Sequence, residues 1–297
     1  TYNSLGQKIQ LDDPDLGIWK YGYDFAGNLI KQEGGGGNLV TGDGYYREYN
    51  GLGQLQRVRD GNNNTAPILE EYFYDSNGDR IKVIRTCYTE GCSNETIYTP
   101  YKEWMQIRNS SGVYNFHYIY QDNTLVARLN PDSTKYFYHP DHLGSTTLIT
   151  DENGNVVENE FYSPCGESLV PNIVEESKLF TGQFKDDTGQ YYFGARYFMP
   201  KDCIFIQPDP IIQDPYNSQA LNHYMYVWGN PYKAIDPNGK TVVTISGGAP
   251  GLHEPDVNRQ FEIMAQNFNP HEPVRHFTVD VSYDQVRDYI REQGPEQ

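Results

Sequence analysis

The chain has 297 residues, room for about two domains or one large β structure, and its 28 Gly and 18 Pro are near ordinary usage, which excludes a collagen repeat and a low-complexity coil. Apolar residues make up only 37%, yet 26 Tyr and 13 Phe raise the aromatic share to 14%, a composition unlike that of disordered chains. With 23 Lys and Arg against 40 Asp and Glu the formal net charge is −17, which argues against nucleic acid or anionic lipid as a partner of the body of the protein. No run approaches the roughly 18 to 20 apolar residues of a membrane helix, and the start, Thr1-Tyr2-Asn3-Ser4, reads as part of a longer chain.

Taken from the N-terminus, the chain repeats a Tyr followed four residues later by Gly. The copies are Tyr2-Asn-Ser-Leu-Gly6, Tyr23-Asp-Phe-Ala-Gly27, Tyr49-Asn-Gly-Leu-Gly53 and Tyr74-Asp-Ser-Asn-Gly78, with a further copy at Tyr162-Ser-Pro-Cys-Gly166. The first four tyrosines are 21, 26 and 25 residues apart. An Asp or Asn after the Tyr starts a turn by bonding to nearby backbone, and Gly takes the positive φ that a short hairpin loop needs. Each copy is therefore a hairpin corner. Between corners lie alternating runs such as Leu29-Ile-Lys-Gln, Leu55-Gln-Arg-Val-Arg, Glu71-Tyr-Phe-Tyr, Arg80-Ile-Lys-Val-Ile and Tyr114-Asn-Phe-His-Tyr-Ile-Tyr, the period-2 pattern of half-buried strands.

Four cysteines are too few for a disulfide scaffold at this length. Cys87 and Cys92 either bridge the tip of a hairpin in an oxidising compartment or stay as free thiols, and Cys165 and Cys203 carry no spacing signal.

These residues resemble the YD-repeat, or RHS-repeat, family, in which hairpin follows hairpin in a curved sheet that spirals into a hollow shell. The resemblance covers about residues 1 to 240. It sharpens from Tyr136-Phe-Tyr-His-Pro-Asp-His-Leu-Gly-Ser onward, through Phe180-Thr-Gly-Gln, Tyr191-Tyr-Phe-Gly-Ala-Arg196-Tyr197, Pro208-Asp209-Pro210, Leu221-Asn-His-Tyr-Met-Tyr and Gly229-Asn-Pro, to Asp236-Pro-Asn-Gly239. This block is similar to the RHS-associated core. The expected architecture is mainly β: YD/RHS repeats over 1–135 forming part of a spiral β-shell, the core over 136–240, and a small α-containing C-terminal segment over 241–297.

In the toxin branch of that family the core resembles an aspartyl protease that cuts its own chain one residue past Asp-Pro-x-Gly. Carried over by motif, the resemblance implies a catalytic site of Arg196, Asp209 and Asp236 and a cut between Lys240 and Thr241. Two close carboxylates cannot both ionise, so one keeps a proton as acid while the other acts as base, and the arginine orients them or stabilises developing charge. Lys240 stands where the family usually has an apolar residue, and the stretch from Asp209 to Asp236 is long. Read without the resemblance, both aspartates start turns before a proline and Arg196 is a buried ion-pair partner.

His139 and His142 flank Asp141 at a spacing that raises a metal site, but no third or fourth ligand is apparent and the family motif accounts for both as parts of a packed corner. No metal or cofactor is expected. His117 and His223 read as structural side chains in strand-like runs. After Gly239 the texture changes, and residues 256–268 and 282–292 carry apolar residues at helical spacing behind Asp256 and Ser282 as caps. The tail holds 4 Lys and Arg against 9 Asp and Glu, so it is no basic nuclease-like arm, and His253, His271 and His276 are its candidate catalytic groups. In the family a variable effector stands here.

The implied function is a secreted or cell-surface toxin shell that encloses its own C-terminal effector segment and releases it inside the shell by self-cleavage. Its partners would be that segment, a secretion or delivery machinery and a target-cell or neighbouring-cell surface. The alternative is a non-enzymatic adhesion or carbohydrate-binding protein that displays its tyrosines.

Overall fold

The computed structural model describes residues 1–14, 17–34, 44–89, 91–121, 123–170, 176–211, 216 and 218–244. The helical expectations at 256–268 and 282–292, and His253, His271 and His276, lie outside the described residues. What is described is almost wholly antiparallel β. Fourteen strands, from Gln10–Asp13 to Val156–Asn159, form one sheet in which every strand pairs with its neighbours in sequence. The sheet crosses the expected division at 135/136 without a break, through Lys135–Pro140 and Thr146–Thr150.

The corners set the register. Tyr23 faces Leu29, Tyr49 faces Leu55 and Tyr74 faces Arg80, each pair closing a five-residue loop. In each loop the side chain after the Tyr accepts a backbone N–H four residues on through Oδ1: Asn28 to Asp24 at 2.8 Å, Gln54 to Asn50 at 3.0 Å and Asp79 to Asp75 at 2.9 Å. Gly27, Gly53 and Gly78 have φ of +88°, +78° and +92°, which side chains with a Cβ adopt at a cost.

The tyrosine has its own task. Tyr49 Oη donates to the carbonyl of Leu29 at 2.9 Å, Tyr74 Oη to Leu55 at 2.7 Å and Tyr23 Oη to Lys8 at 2.9 Å. In all three the acceptor is the first residue past the previous corner, so each repeat is fastened to the one before it.

The strands depart from simple alternation in a regular way. Ile30, Gln56 and Ile81 are each skipped in the ladder next to a corner. Such a bulge shifts the inward face by one residue, so buried positions fall three apart, at Leu29 and Gln32, Leu55 and Val58, Arg80 and Val83.

The inward face is covered by a plug, residues 176–211 and 218–235, which carries a four-stranded sheet of Phe184–Lys185, Tyr191–Tyr192, Tyr197–Met199 and Ile204–Phe205. Tyr197, Met199, Ile204, Ile206 and Tyr224 pack into one core with Leu29, Leu55, Val58, Tyr72 and Val83 of the large sheet. A second core of Leu179, Phe180, Tyr191, Phe193, Phe198, Phe205 and Tyr226 lies within the plug itself. Buried polar contacts lock plug to sheet: Arg80 with Asp186, Arg128 with Glu176 at 2.6 Å, and Glu70 accepting from Thr188 Oγ1 at 2.8 Å.

Both cysteine pairs are bridged, Cys87 to Cys92 and Cys165 to Cys203. The second ties the Tyr162 corner to the plug. The cysteine spacing did not announce it, because its partners are 38 residues apart and meet only through the fold.

The repeat tyrosines make a direct stability prediction. Tyr49→Phe removes one hydroxyl and leaves the Leu29 carbonyl without that donor, so unfolding in urea should lose about 1–2 kcal/mol. No change in midpoint would show that the hydroxyl does not fasten neighbouring repeats.

Candidate active site

Asp236 opens a corner of the same design as those in the large sheet. Its Oδ1 accepts the N–H of Lys240, four residues on, at 3.0 Å, and Gly239 has φ +71°. A Cβ at Gly239 would come within 2.9 Å of the Phe193 carbonyl and 3.0 Å of the Arg196 nitrogen, so glycine also allows this corner to lie against the Gly194-Ala195-Arg196 turn. The Ala195 N–H donates to the Asn238 carbonyl at 3.1 Å across that contact.

One feature sets this corner apart. The flanking strands Ala234–Ile235 and Val243–Thr244 pair Ile235 with Val243, so the loop runs from 236 to 242 and has two residues more than the five-residue corners. The slack holds the Lys240–Thr241 bond outside the ladder. The N–H of Thr241 turns inward and donates to the same Asp236 Oδ1 at 3.0 Å, while the Lys240 side chain is exposed.

Arg196 reaches the corner from the turn after Tyr191–Tyr192. Its Nη2 lies 3.0 Å from Asp236 Oδ2 and 3.0 Å from Asp209 Oδ2, which brings the two carboxylate oxygens within about 6 Å of each other. Its Nε donates to the Gly239 carbonyl at 2.5 Å, Nη1 donates to the His223 carbonyl at 3.3 Å, and the guanidinium stacks 3.7 Å above the Phe205 ring. Asp209 is positioned in turn by main-chain bonds: its Oδ1 accepts from Ile211 N at 2.9 Å and its own N–H donates to the His223 carbonyl at 2.8 Å.

Burial governs the electrostatics. Asp236 is 1% exposed and Asp209 9%. Burial pushes the Asp236 carboxyl above the usual carboxylate range; Arg196 and the Thr241 N–H pull it back, and Asp209 adds to the rise. The Arg196 guanidinium is drawn below its ordinary value by the same burial, against the pull of both carboxylates. It remains a cation at any ordinary pH. Burial and the neighbouring carboxyl thus both favour the protonated form of Asp236, and Arg196 opposes them.

The structure brings Arg196, Asp209 and Asp236 together in a small cleft with a volume of about 10 Å³, room for about one water, whose walls include His223, Trp228 and Val242. His223, read from the sequence as a strand side chain, lies in a turn, with Nδ1 2.6 Å from the Asp209 carbonyl. Nothing local in Leu221-Asn-His-Tyr signals this, because its partner lies 14 residues away. His139 and His142 go to separate partners, Thr150 Oγ1 at 3.1 Å and the Tyr232 carbonyl at 3.0 Å. His117 sits in the strand Gly112–Gln121. Among the described residues no three metal-ligating side chains converge.

The sequence profile described as Teneurin YD-shell matches residues 1–227. The chain is similar to the tRNA3(Ser)-specific nuclease WapA of Bacillus spizizenii, 25% identical over 81% of this chain and 12% of that protein. It is similar to the toxin subunit YenC1 of Yersinia entomophaga, 26% identical over 64% of this chain and 22% of that one. Double-stranded DNA deaminase toxin A of Burkholderia cenocepacia is 26% identical over 80% of this chain and 20% of its own length. These relatives are thus several times longer than the chain. A Photorhabdus luminescens Tc holotoxin pore superposes with a TM-score of 0.57 at 20% identity, covering 78% of this chain and 13% of that one. A TcdB2-TccC3 structure described as lacking its hypervariable C-terminal region gives 0.56 at 20% identity over 80% and 15%. Both are likenesses of fold.

The shared cation makes the site a stability element as well. Arg196→Met strands two buried carboxyls and should cost about 3–5 kcal/mol of unfolding free energy. Adding Asp209→Asn and Asp236→Asn should restore at least half of it. An equal loss in the single and triple variants would show that the guanidinium acts by packing alone.

Proposed function

The chain belongs to the Teneurin YD-shell family, a shell of toxin-family proteins, and we propose that its core, residues 136–240, is a single-turnover aspartyl self-protease that cuts between Lys240 and Thr241. The repeats of 1–135 and the core would then form the container, and the segment from Thr241 onward the effector. One observation carries the reading: Asp236 touches the amide nitrogen of the bond to be cut with one oxygen and shares Arg196 with Asp209 through the other.

The chemistry follows from that placement. A water entering the cleft gives a proton to the carboxylate of Asp209, the more exposed of the two side chains, and its oxygen attacks the Lys240 carbonyl carbon. Arg196, fixed to the preceding carbonyl of Gly239, holds the strand in line and offsets the charge that develops next to it. Asp236, whose protonated form burial favours, gives its proton to the Thr241 nitrogen as the C–N bond breaks. Water is consumed, Lys240 gains a carboxylate, Thr241 gains an amino group, and the proton has moved from one aspartate to the other. Because the scissile bond is part of the fold, orientation costs no binding entropy. The exposed Lys240 side chain needs no pocket, so a lysine in place of the family's usual apolar residue is compatible with this geometry.

The shell role draws on the relatives. Proteins named as a tRNA nuclease and as a double-stranded DNA deaminase toxin share this region with the chain, and a superposable structure is described by the hypervariable C-terminal region it lacks. A common container with interchangeable cargo accounts for that. Two disulfides suit an oxidising compartment, hence a secreted or cell-surface placement with delivery machinery and a target-cell surface as partners. Among the described residues no helix is long and apolar enough to cross a membrane. The alternative of an adhesion surface built on displayed tyrosines has less behind it, since Tyr23, Tyr49 and Tyr74 direct their hydroxyls to neighbouring strands.

Mass spectrometry of the purified full chain checks the cut. Fragments should end at Lys240 and begin at Thr241, and Asp236→Asn, which keeps the corner's acceptor oxygen but has no acidic proton, should stay intact while remaining folded. The rate should fall as pH rises through the elevated pKa of Asp236, where the acid loses its proton. Cleavage by the Asn variant at the wild-type rate would end this reading.

A further inference from the structure

Resting on the self-cleavage just proposed, the geometry points to a second use of the same groups: after the cut, the aspartate pair is a binding site for the α-ammonium group of the new chain beginning at Thr241, so that hydrolysis alone does not free the effector. The nitrogen that becomes this ammonium is already 3.0 Å from Asp236 Oδ1. Breaking the Lys240–Thr241 bond turns a neutral amide donor into a cation at that position, and hydrogen bonds between ionised partners are the stronger kind.

The rest of the new end is held independently of the bond that breaks. Val243 and Thr244 pair with Ile235 and Ala234, and Val242 packs against the cluster of Phe193, Phe198, Phe205 and Tyr226. None of these contacts passes through the Lys240–Thr241 peptide. The ligand class is thus an extended chain with a free amino terminus and small β-branched residues behind it, captured by strand pairing and a buried carboxylate.

The charged groups facing the site define when it holds. Asp209, Asp236, Arg196 and His223 surround the cleft, and the new carboxylate of Lys240 joins them. Near neutral pH, with the amine protonated, the negative charge of the aspartate pair and of the new Lys240 carboxylate together outweigh Arg196. In acid the negative charge around the site is lost, the ammonium faces Arg196 beside the His223 ring, and the attraction reverses. Acid therefore loosens the cut end. Moderate salt has little effect, because the pair is buried.

The test uses the full chain, cut by itself or, if it does not cut, nicked with a limiting amount of lysine-specific endoprotease, the product opened only after Lys240 being isolated first because Lys20, Lys102, Lys135, Lys201 and Lys233 are exposed as well. Reductive dimethylation at pH 7, read by mass spectrometry, should label the Thr241 amine at least ~10-fold more slowly than in urea, the factor one well-formed bond supplies. Gel filtration should show the two pieces together at pH 7 and apart near pH 3. A Thr241 amine that labels equally fast with and without urea, or pieces that separate at pH 7, would overturn the inference. A chain that needs the added protease but then retains its nicked end would refute the self-cleavage and leave this binding site standing.

Discussion

A single turn device underlies the molecule: a side-chain oxygen accepts the backbone N–H four residues ahead, and a glycine three residues ahead bends the chain through positive φ. It recurs at Asp24, Asn50, Asp75, Asp141 and Asp151 with bonds of 2.8 to 3.0 Å. At Asp236 the same device acquires a reactive setting. The loop gains two residues, the second N–H on the accepting oxygen comes from five residues ahead where at Asn50, Asp75, Asp141 and Asp151 it comes from two, and a buried guanidinium joins the other oxygen to Asp209. Turn residue and candidate catalyst are one group, so a turn-forming role for Asp236 does not compete with a chemical one.

Burial explains why the device changes character there. Asp75 and Asp151 are only half-buried and their turn bonds lie at the exposed surface, whereas Asp236 is covered almost completely. Removing water makes the ionised form costly and makes Arg196 worth more to whichever carboxylate stays charged. The plug holds other buried charges against the large sheet. Lys178, whose ammonium donates to the Lys102 carbonyl and lies over the Tyr118 and Phe184 rings, is pushed by burial down to about 7. These groups fix how the plug seats, and the plug in turn places Arg196.

Much of the fold was legible in the sequence because it is local. A Tyr-x-x-x-Gly corner contains its own acceptor, its own glycine and a tyrosine whose partner is one repeat back, so periodicity alone locates the corners after Tyr23, Tyr49 and Tyr74. The skipped residues Ile30, Gln56 and Ile81 were not legible, because a bulge depends on how two strands settle against each other. The candidate site was legible only by resemblance to a family motif. Positions 196, 209 and 236 share no helical or strand period, and they meet because three turns of the plug abut. His223 and the Cys165–Cys203 bridge were invisible for the same reason.

The destination of water's oxygen tests the self-cleavage most directly. Purified chain allowed to mature in heavy-oxygen water should yield an N-terminal fragment that ends at Lys240 and carries one heavy oxygen in its new carboxylate, beside a C-terminal fragment beginning at Thr241 with none. A chain that stays whole, or one that breaks instead at Asp209–Pro210 or Asp236–Pro237 as acid-labile bonds do, would contradict it.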